Sequence, residues 1–225
     1  MNKVVNIKHL SKSFGKNKPI LENIDFSLEK GSMTALIGAS GEGKTTLLNL
    51  IGSLDNSYSG QIIVSEQDLS LCNEKKLSQL RNTKVGFVLQ EPILIQRLTV
   101  EQNILLPTVY LPAKVKSKTK IKDRMHKLAQ YLDIEPLLSR KPNTLSGGQK
   151  QRVVAVRALI NDPEIVLADE PTGSLDEENA KIIIELFKKI KDEGKTILTV
   201  THDKEIAALH DSTFRLSNGE ITKVN

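Results

Sequence analysis

Three short stretches of the chain hold residue types at spacings that suit phosphate chemistry. The first, Gly38-Ala39-Ser40-Gly41-Glu42-Gly43-Lys44-Thr45, fits the pattern G-x-x-x-x-G-K-[ST]. Glycines at this spacing let the backbone curl into a nest whose N–H groups face phosphate oxygens. A helix that follows would add its positive N-terminal dipole. Lys44 would neutralise the β- and γ-phosphates, and the Thr45 hydroxyl would sit on a Mg²⁺ ion. A flexible Gly-rich turn has the same composition, but this one joins a strand-like run to a helix-like one, the context a nucleoside triphosphate loop needs.

The second stretch is Ile165-Val166-Leu167-Ala168-Asp169-Glu170. Four apolar residues ending in two acids set carboxylates at the C-terminal edge of a buried strand, where open α/β sheets bind ligands. Asp169 would hold Mg²⁺ through water, and Glu170 would orient or deprotonate the attacking water. An acidic pair in that position is equally at home as a solvated strand end; the phosphate loop upstream gives it a task.

The third is Leu145-Ser146-Gly147-Gly148-Gln149, ahead of a helical stretch. Ser146 can cap that helix, and the two glycines allow close approach to an anion. This is a second helix N-terminus built for phosphate, although Lys44 already cradles one nucleotide. The arrangement makes sense if it faces the γ-phosphate bound by another subunit.

The elements needed to position these groups are legible in the hydrophobic pattern. Short apolar runs at 4–7 and 20–28, the latter with Ile24, Phe26 and Leu28 on one face, read as antiparallel strands. Residues 33–37 form a strand entering the Gly-rich loop, and 45–51 carry the leucine spacing of a helix. Further strands are expected at 61–64, 85–89, 165–168 and 196–200. Amphipathic helices at 177–191 and 204–209 imply a parallel sheet with crossover helices. Asn218-Gly219 joins two last strands, 213–216 and 220–224, as a hairpin. Between 91 and 160 the character changes: prolines at 107, 112, 136 and 142, and helical periodicity at 122–132 and 149–160. The expected fold is α/β: a P-loop NTPase with a mainly parallel sheet core, an N-terminal antiparallel β subdomain and an inserted α-helical subdomain. The 225 residues then form one domain, with 1–90 and 161–225 as the nucleotide-binding core and 91–160 as the helical insert.

With the three motifs in this order, the sequence resembles the ATP-binding cassette (ABC) family from about Val4 to Val224. The resemblance implies further roles. Phe14, in Ser13-Phe14-Gly15, would stack on adenine, and Gly38 to Thr46 (Thr46 included) would bind the phosphates. Gln90 would reach the Mg²⁺ site and sense the membrane partner, Ser174-Leu175-Asp176 would cross a dimer interface, and His202 would act on the γ-phosphate. Ser146, Gly147, Gly148 and Gln149 would act in trans on the nucleotide of a second such subunit, most simply a copy of this chain. Two residues depart from the pattern: Glu42 stands where a small residue is commoner, and must point outward to be tolerated; Leu89 replaces an aromatic. The stretches 86–88, 98–103 and 170–176 are similar to the branch holding lipoprotein-releasing, macrolide-export and antimicrobial-peptide-resistance ATPases. That implies an ATPase powering a separately encoded integral membrane permease from the inner face of the cell membrane. The alternative is a non-transporting ATPase that regulates a division or cell-wall complex.

Composition narrows the field. Hydrophobic residues at 39% and charged residues at 26% are those of an ordinary globular domain, which sets disorder aside. The one cysteine, Cys72, has no pairing or metal-ligand neighbour. No run approaches the roughly 20 apolar residues that span a bilayer, and lysines at 3, 8, 12 and 16 break up any signal-like start. The net charge of +5 suits nucleic acid or an anionic membrane as well as neither. Chromosome-structure ATPases need long coiled coils or zinc insertions, and translation-associated ones carry two cassettes. Neither occurs here, so no nucleic-acid partner is expected. The lysines at 114, 116, 118, 120 and 122 could meet anionic headgroups or form a solvated helix start.

Overall fold

The computed structural model describes residues 2–15, 19–112 and 117–225. Lys16, Lys114 and Lys116 lie outside the described residues, whereas Lys118, Lys120 and Lys122 open a helix.

Strand β1 (Lys3–Lys12) pairs antiparallel with β2 (Leu21–Glu29), in which Ile24, Phe26 and Leu28 are all buried. Next come β3 (Met33–Ile37), helix α1 (Lys44–Ile51), β4 (Ser59–Val64) and β5 (Gln67–Asp68). The first sheet is antiparallel, in the order β2-β1-β4-β5.

Helix α2 (Glu74–Lys84) leads into β6 (Val85–Val88). Three helices follow: α3 (Val100–Leu105), α4 (Lys118–Tyr131) and α5 (Gly147–Leu159). The chain then returns through β7 (Ile165–Asp169), α6 (Glu177–Asp192), β8 (Thr196–Val200), α7 (Lys204–Ala208), β9 (Ser212–Ser217) and β10 (Glu220–Lys223). The second sheet runs β10-β9-β3-β8-β7-β6, parallel throughout except for the β9–β10 hairpin. Asn218 and Gly219 take φ 52° and 82° in its two-residue turn, the left-handed pair that matches the twist of the strands.

Strand β7 shows why the central sheet reads as unbroken apolar runs. Ile165 and Leu167 point into one core with Leu47, Leu50 and Phe26, while Val166 and Ala168 point into another with Met125, Val153 and Phe187. Both faces are covered, so no residue can be polar until the strand ends at Asp169. The inserted helices dock on this sheet through α5, which packs against β6. A Cβ at Gly86 would overlap the Ala158 carbonyl oxygen of α5. Because that oxygen is backbone, it cannot move aside cheaply. Gly86→Ala is therefore expected to lower stability by about 1–3 kcal/mol, read as a lower urea midpoint.

Two helices depart from the sequence reading. Helix α2 presents only Leu77 and Leu80 to the core, too few apolar positions for a period to emerge. Helix α3 is short, but Thr99 and Gln102 form a reciprocal capping box at its start, a signal present in the sequence. Helices α4 and α5 also begin four and two residues earlier than their apolar periods, since their first turns are polar.

Candidate active site

The loop after β3 is shaped by its glycines. Gly41 and Gly43 take φ 84° and 96°, and a Cβ at Gly38 would strike the Leu216 carbonyl of β9. Lys44 is nearly buried, and its Nζ donates to the Gly38 carbonyl at 2.9 Å and the Ala39 carbonyl at 2.7 Å. No side chain caps α1. By contrast α2, α3, α5, α6 and α7 are capped by Asn73, Thr99, Ser146, Asp176 and Asp203. The first N–H groups of α1 are thus free for an anion.

Across from this loop, the Thr45 hydroxyl donates to Asp169 Oδ2 at 2.8 Å. Burial raises the Asp169 pKa, and the Glu170 carboxylate beside it adds to the shift; Thr45 and Lys44 oppose it. A desolvated carboxylate next to a second one is a site that favours a cation. Glu170 has φ 45°, a strained conformation for a non-glycine residue. Its Oε1 accepts from the His202 N–H at 3.0 Å and lies 2.7 Å from His202 Nδ1, while its Oε2 accepts from the Thr201 hydroxyl at 3.3 Å.

These groups share one cavity of about 630 Å³, lined by Ile20, Gly38–Gly41, Gly43–Thr46, Gln90, Asp169, Glu170, Val200 and His202. It opens at the C-terminal ends of β3, β6, β7 and β8, as open α/β sheets require. Lys44, Thr45, Thr46, Gln90, Asp169, Glu170 and His202 are therefore brought together.

Glu42 is not part of the lining. Its carboxylate turns out to the β9–β10 hairpin and accepts from the Asn218 N–H at 2.7 Å, which resolves the oddity of an acid inside a phosphate loop. Phe14 is also outside the lining; it is 54% exposed, with the Lys12 ammonium 4.8 Å from its ring centre.

Ser146, Gly147, Gly148 and Gln149 stand apart from the cavity, at the start of α5. Ser146 Oγ accepts from the Gln149 N–H at 3.2 Å, and Gln149 Oε1 accepts from the Ser146 N–H at 3.0 Å. The two glycines serve different ends. A Cβ at Gly147 would meet nothing, so that face is open to an incoming group; one at Gly148 would collide with the Asn179 amide of α6. Asn179 in turn donates to Asp176 at 2.8 Å and accepts from Arg152 at 2.8 Å. Gln151 and Asn179 escaped the sequence reading. Gln151 stands in the polar run Gln149-Lys150-Gln151-Arg152, which gives no sign that one member is buried.

His210, just past α7, is buried. Its Nδ1–H donates to the Ile206 carbonyl at 2.9 Å, and Nε2 has no partner among the described residues. Burial lowers its pKa below 6.5; Asp211 and the hydrogen bonds oppose that shift, and Lys188 reinforces it. The unfolded chain therefore takes up the proton first. The stability present above pH 6.5 is expected to fall as the pH drops further. Thermal midpoints from pH 7.5 to 5 should decline in the native chain and flatten in His210→Gln.

A family model described as "ABC transporter" matches residues 21–173, the span from β2 through the Asp169-Glu170 turn. The chain belongs to the ABC transporter family. Among similar proteins is the lipoprotein-releasing system ATP-binding protein LolD of Aquifex aeolicus, 43% identical over 209 residues, covering 91% of this chain and 92% of the relative. The macrolide export ATP-binding/permease protein MacB of Campylobacter jejuni is 41% identical over 215 residues; these cover 96% of this chain. The cassette spans only about a third (33%) of that relative's length. Among solved structures, a dimeric post-hydrolysis state of the ATP-binding cassette MJ0796 bound to ADP and Pi matches with a TM-score of 0.88 at 34% identity, over 98% of this chain and 99% of the other. Among the described residues of the cassette, no helix is long and apolar enough to cross a membrane.

Proposed function

We propose that this ABC cassette binds and hydrolyses ATP as one member of a head-to-tail pair and so drives a separate membrane permease. The observation that supports this most directly is the split of its phosphate-binding groups. One set lines the cavity at Lys44, while a second helix start, at Ser146, stands outside it with an open face at Gly147. One chain offers two halves of two sites, and a pair completes both.

In this reading the α1 N–H groups and Lys44 hold the β- and γ-phosphates, and Phe14 stacks on adenine. The partner copy's signature turn closes on the γ-phosphate. Glu170 takes a proton from the attacking water, held in place by His202 and Thr201. A bound Mg²⁺ would neutralise charge on the phosphate oxygens. Thr45, Asp169 and Gln90 are the groups that would hold it, a sparse oxygen set that suits an ion sharing its shell with phosphates and water. Residues 1–90 and 161–225 act as the ATP-binding core, and 91–160 as the insert that carries the signature turn.

The cassette would work at the inner face of the cell membrane, as a peripheral subunit. The names of its relatives, a macrolide-export protein and a lipoprotein-releasing system, support an export or release task within the wider range of lipoproteins, peptides or antibiotics. The test is to purify Glu170→Gln with ATP from detergent-solubilised native membranes and identify what accompanies it by mass spectrometry. A stoichiometric multi-span protein supports the reading; recovery of soluble partners alone would overturn it.

A further inference from the structure

Gln151 lies just past the first turn of α5 and is 1% exposed. Its Nε2 donates to two carbonyls on distant segments: Leu89 at 3.0 Å and Pro171 at 3.1 Å. Leu89 immediately precedes Gln90, and Pro171 immediately follows Glu170. One amide therefore grips the two segments that carry a carboxamide and a carboxylate into the cavity. Its Oε1 is buried without a partner among the described residues. The reverse orientation of the amide would set that oxygen against both carbonyls, so the two N–H groups are what the site uses. Packing alone gives no reason for the residue. Leaving a buried acceptor unmet costs about 1–3 kcal/mol, and Val153, Val154 and Val156 show what the rest of α5 buries.

We propose that Gln151 is a positioning residue that couples the signature turn to Glu170 and Gln90. The inference rests on the reading that Ser146 acts on the nucleotide of a second copy. Ser146 and Gln151 belong to one short helix, so a push on its start is carried to the amide without loss. The same helix is tied sideways by Arg152, which donates to the Leu132 carbonyl at 3.2 Å and to Asn179 at 2.8 Å. With α5 clasped there, small displacements at Ser146 are delivered at Leu89 and Pro171. Pairing thus sets the reacting carboxylate in its working position only when a partner's nucleotide is engaged.

The test compares Gln151→Met, Ser146→Ala and the double variant in the full chain, with ATP turnover, ATP affinity and thermal midpoint measured for each. Gln151→Met keeps the volume and loses both donors. Its kcat is expected to fall about 10²-fold, the cost of roughly 1 Å of misplacement, with KM within about twofold. The double variant should lose less than the product of the single losses, because both changes cut one link. Wild-type turnover in Gln151→Met, or fully multiplicative losses, would overturn the coupling. If Ser146→Ala turns over like the native chain, the trans reading itself has failed, which is a separate result. Should Gln151→Met not fold, Gln151→Glu decides. Only its protonated form can donate to either carbonyl, so its turnover relative to the native chain should fall as the pH rises. A flat ratio would sink the proposal.

Discussion

Glu170→Gln should retain ATP and lose about 10²–10⁴-fold in hydrolysis, the span over which a positioned general base acts. The geometry explains why the loss should be confined to chemistry. An amide in place of the carboxylate keeps an oxygen able to accept from the His202 N–H, now 3.0 Å away, and sets an NH2 where it can donate to the Thr201 hydroxyl oxygen. The strained backbone at φ 45° is equally available to Gln. What disappears is the negative charge that draws a proton from water. The substitution also removes one of two adjacent carboxylates, relieving the repulsion felt by Asp169, so nucleotide affinity should hold or rise. Phosphate release and size-exclusion chromatography with ATP together test this: near-zero turnover with a stable pair is the expected outcome, and turnover close to native would remove Glu170 from the mechanism.

Lys44→Ala should fail one step earlier. Lys44 is only 9% exposed and its ammonium donates to the Gly38 and Ala39 carbonyls, which fixes it inside the curl of the loop. Among the described residues no other lysine or arginine lines the cavity. Removing one partner of a desolvated charge pair costs about 2–5 kcal/mol, or roughly 30- to several-thousand-fold in Kd. Titration calorimetry should show that loss, and the variant should not pair with ATP at concentrations that pair Glu170→Gln. Lys44→Arg is not expected to rescue it, because a planar guanidinium cannot turn three donors into a space shaped for a compact ammonium. Native affinity in Lys44→Ala would mean that the loop N–H groups alone hold the nucleotide.

How much was readable in advance depended on whether a signal was local. The loop from Gly38 to Thr45, the apolar run ending at Asp169, the Asn218-Gly219 turn and the cap at Ser146 are each determined within a few residues. Each sits in the structure where its local pattern puts it. The central strands were legible because burial on both faces leaves an unbroken apolar run. Helix α2 was not, because a surface helix resting on two leucines leaves no periodic trace. The harder losses are long-range. Glu42 finds its partner 176 residues away at Asn218, so its outward turn could be required but not located. Gln151 grips carbonyls 62 and 20 residues distant, and backbone carbonyls carry no sequence signature. Gly86 and Gly148 are dictated by the close approach of other segments, which the chain order alone does not reveal.

The bare start of α1 bears on how long a copy of this chain survives in a cell. A helix at the centre of the molecule is left unfinished until an anion completes it, so nucleotide acts as a late structural part. Ligand that binds only the folded form adds stability in proportion to the logarithm of its concentration above Kd. A copy holding nucleotide is therefore expected to open to proteases less often than an empty one, so that occupancy of the cavity and lifetime of the fold rise together.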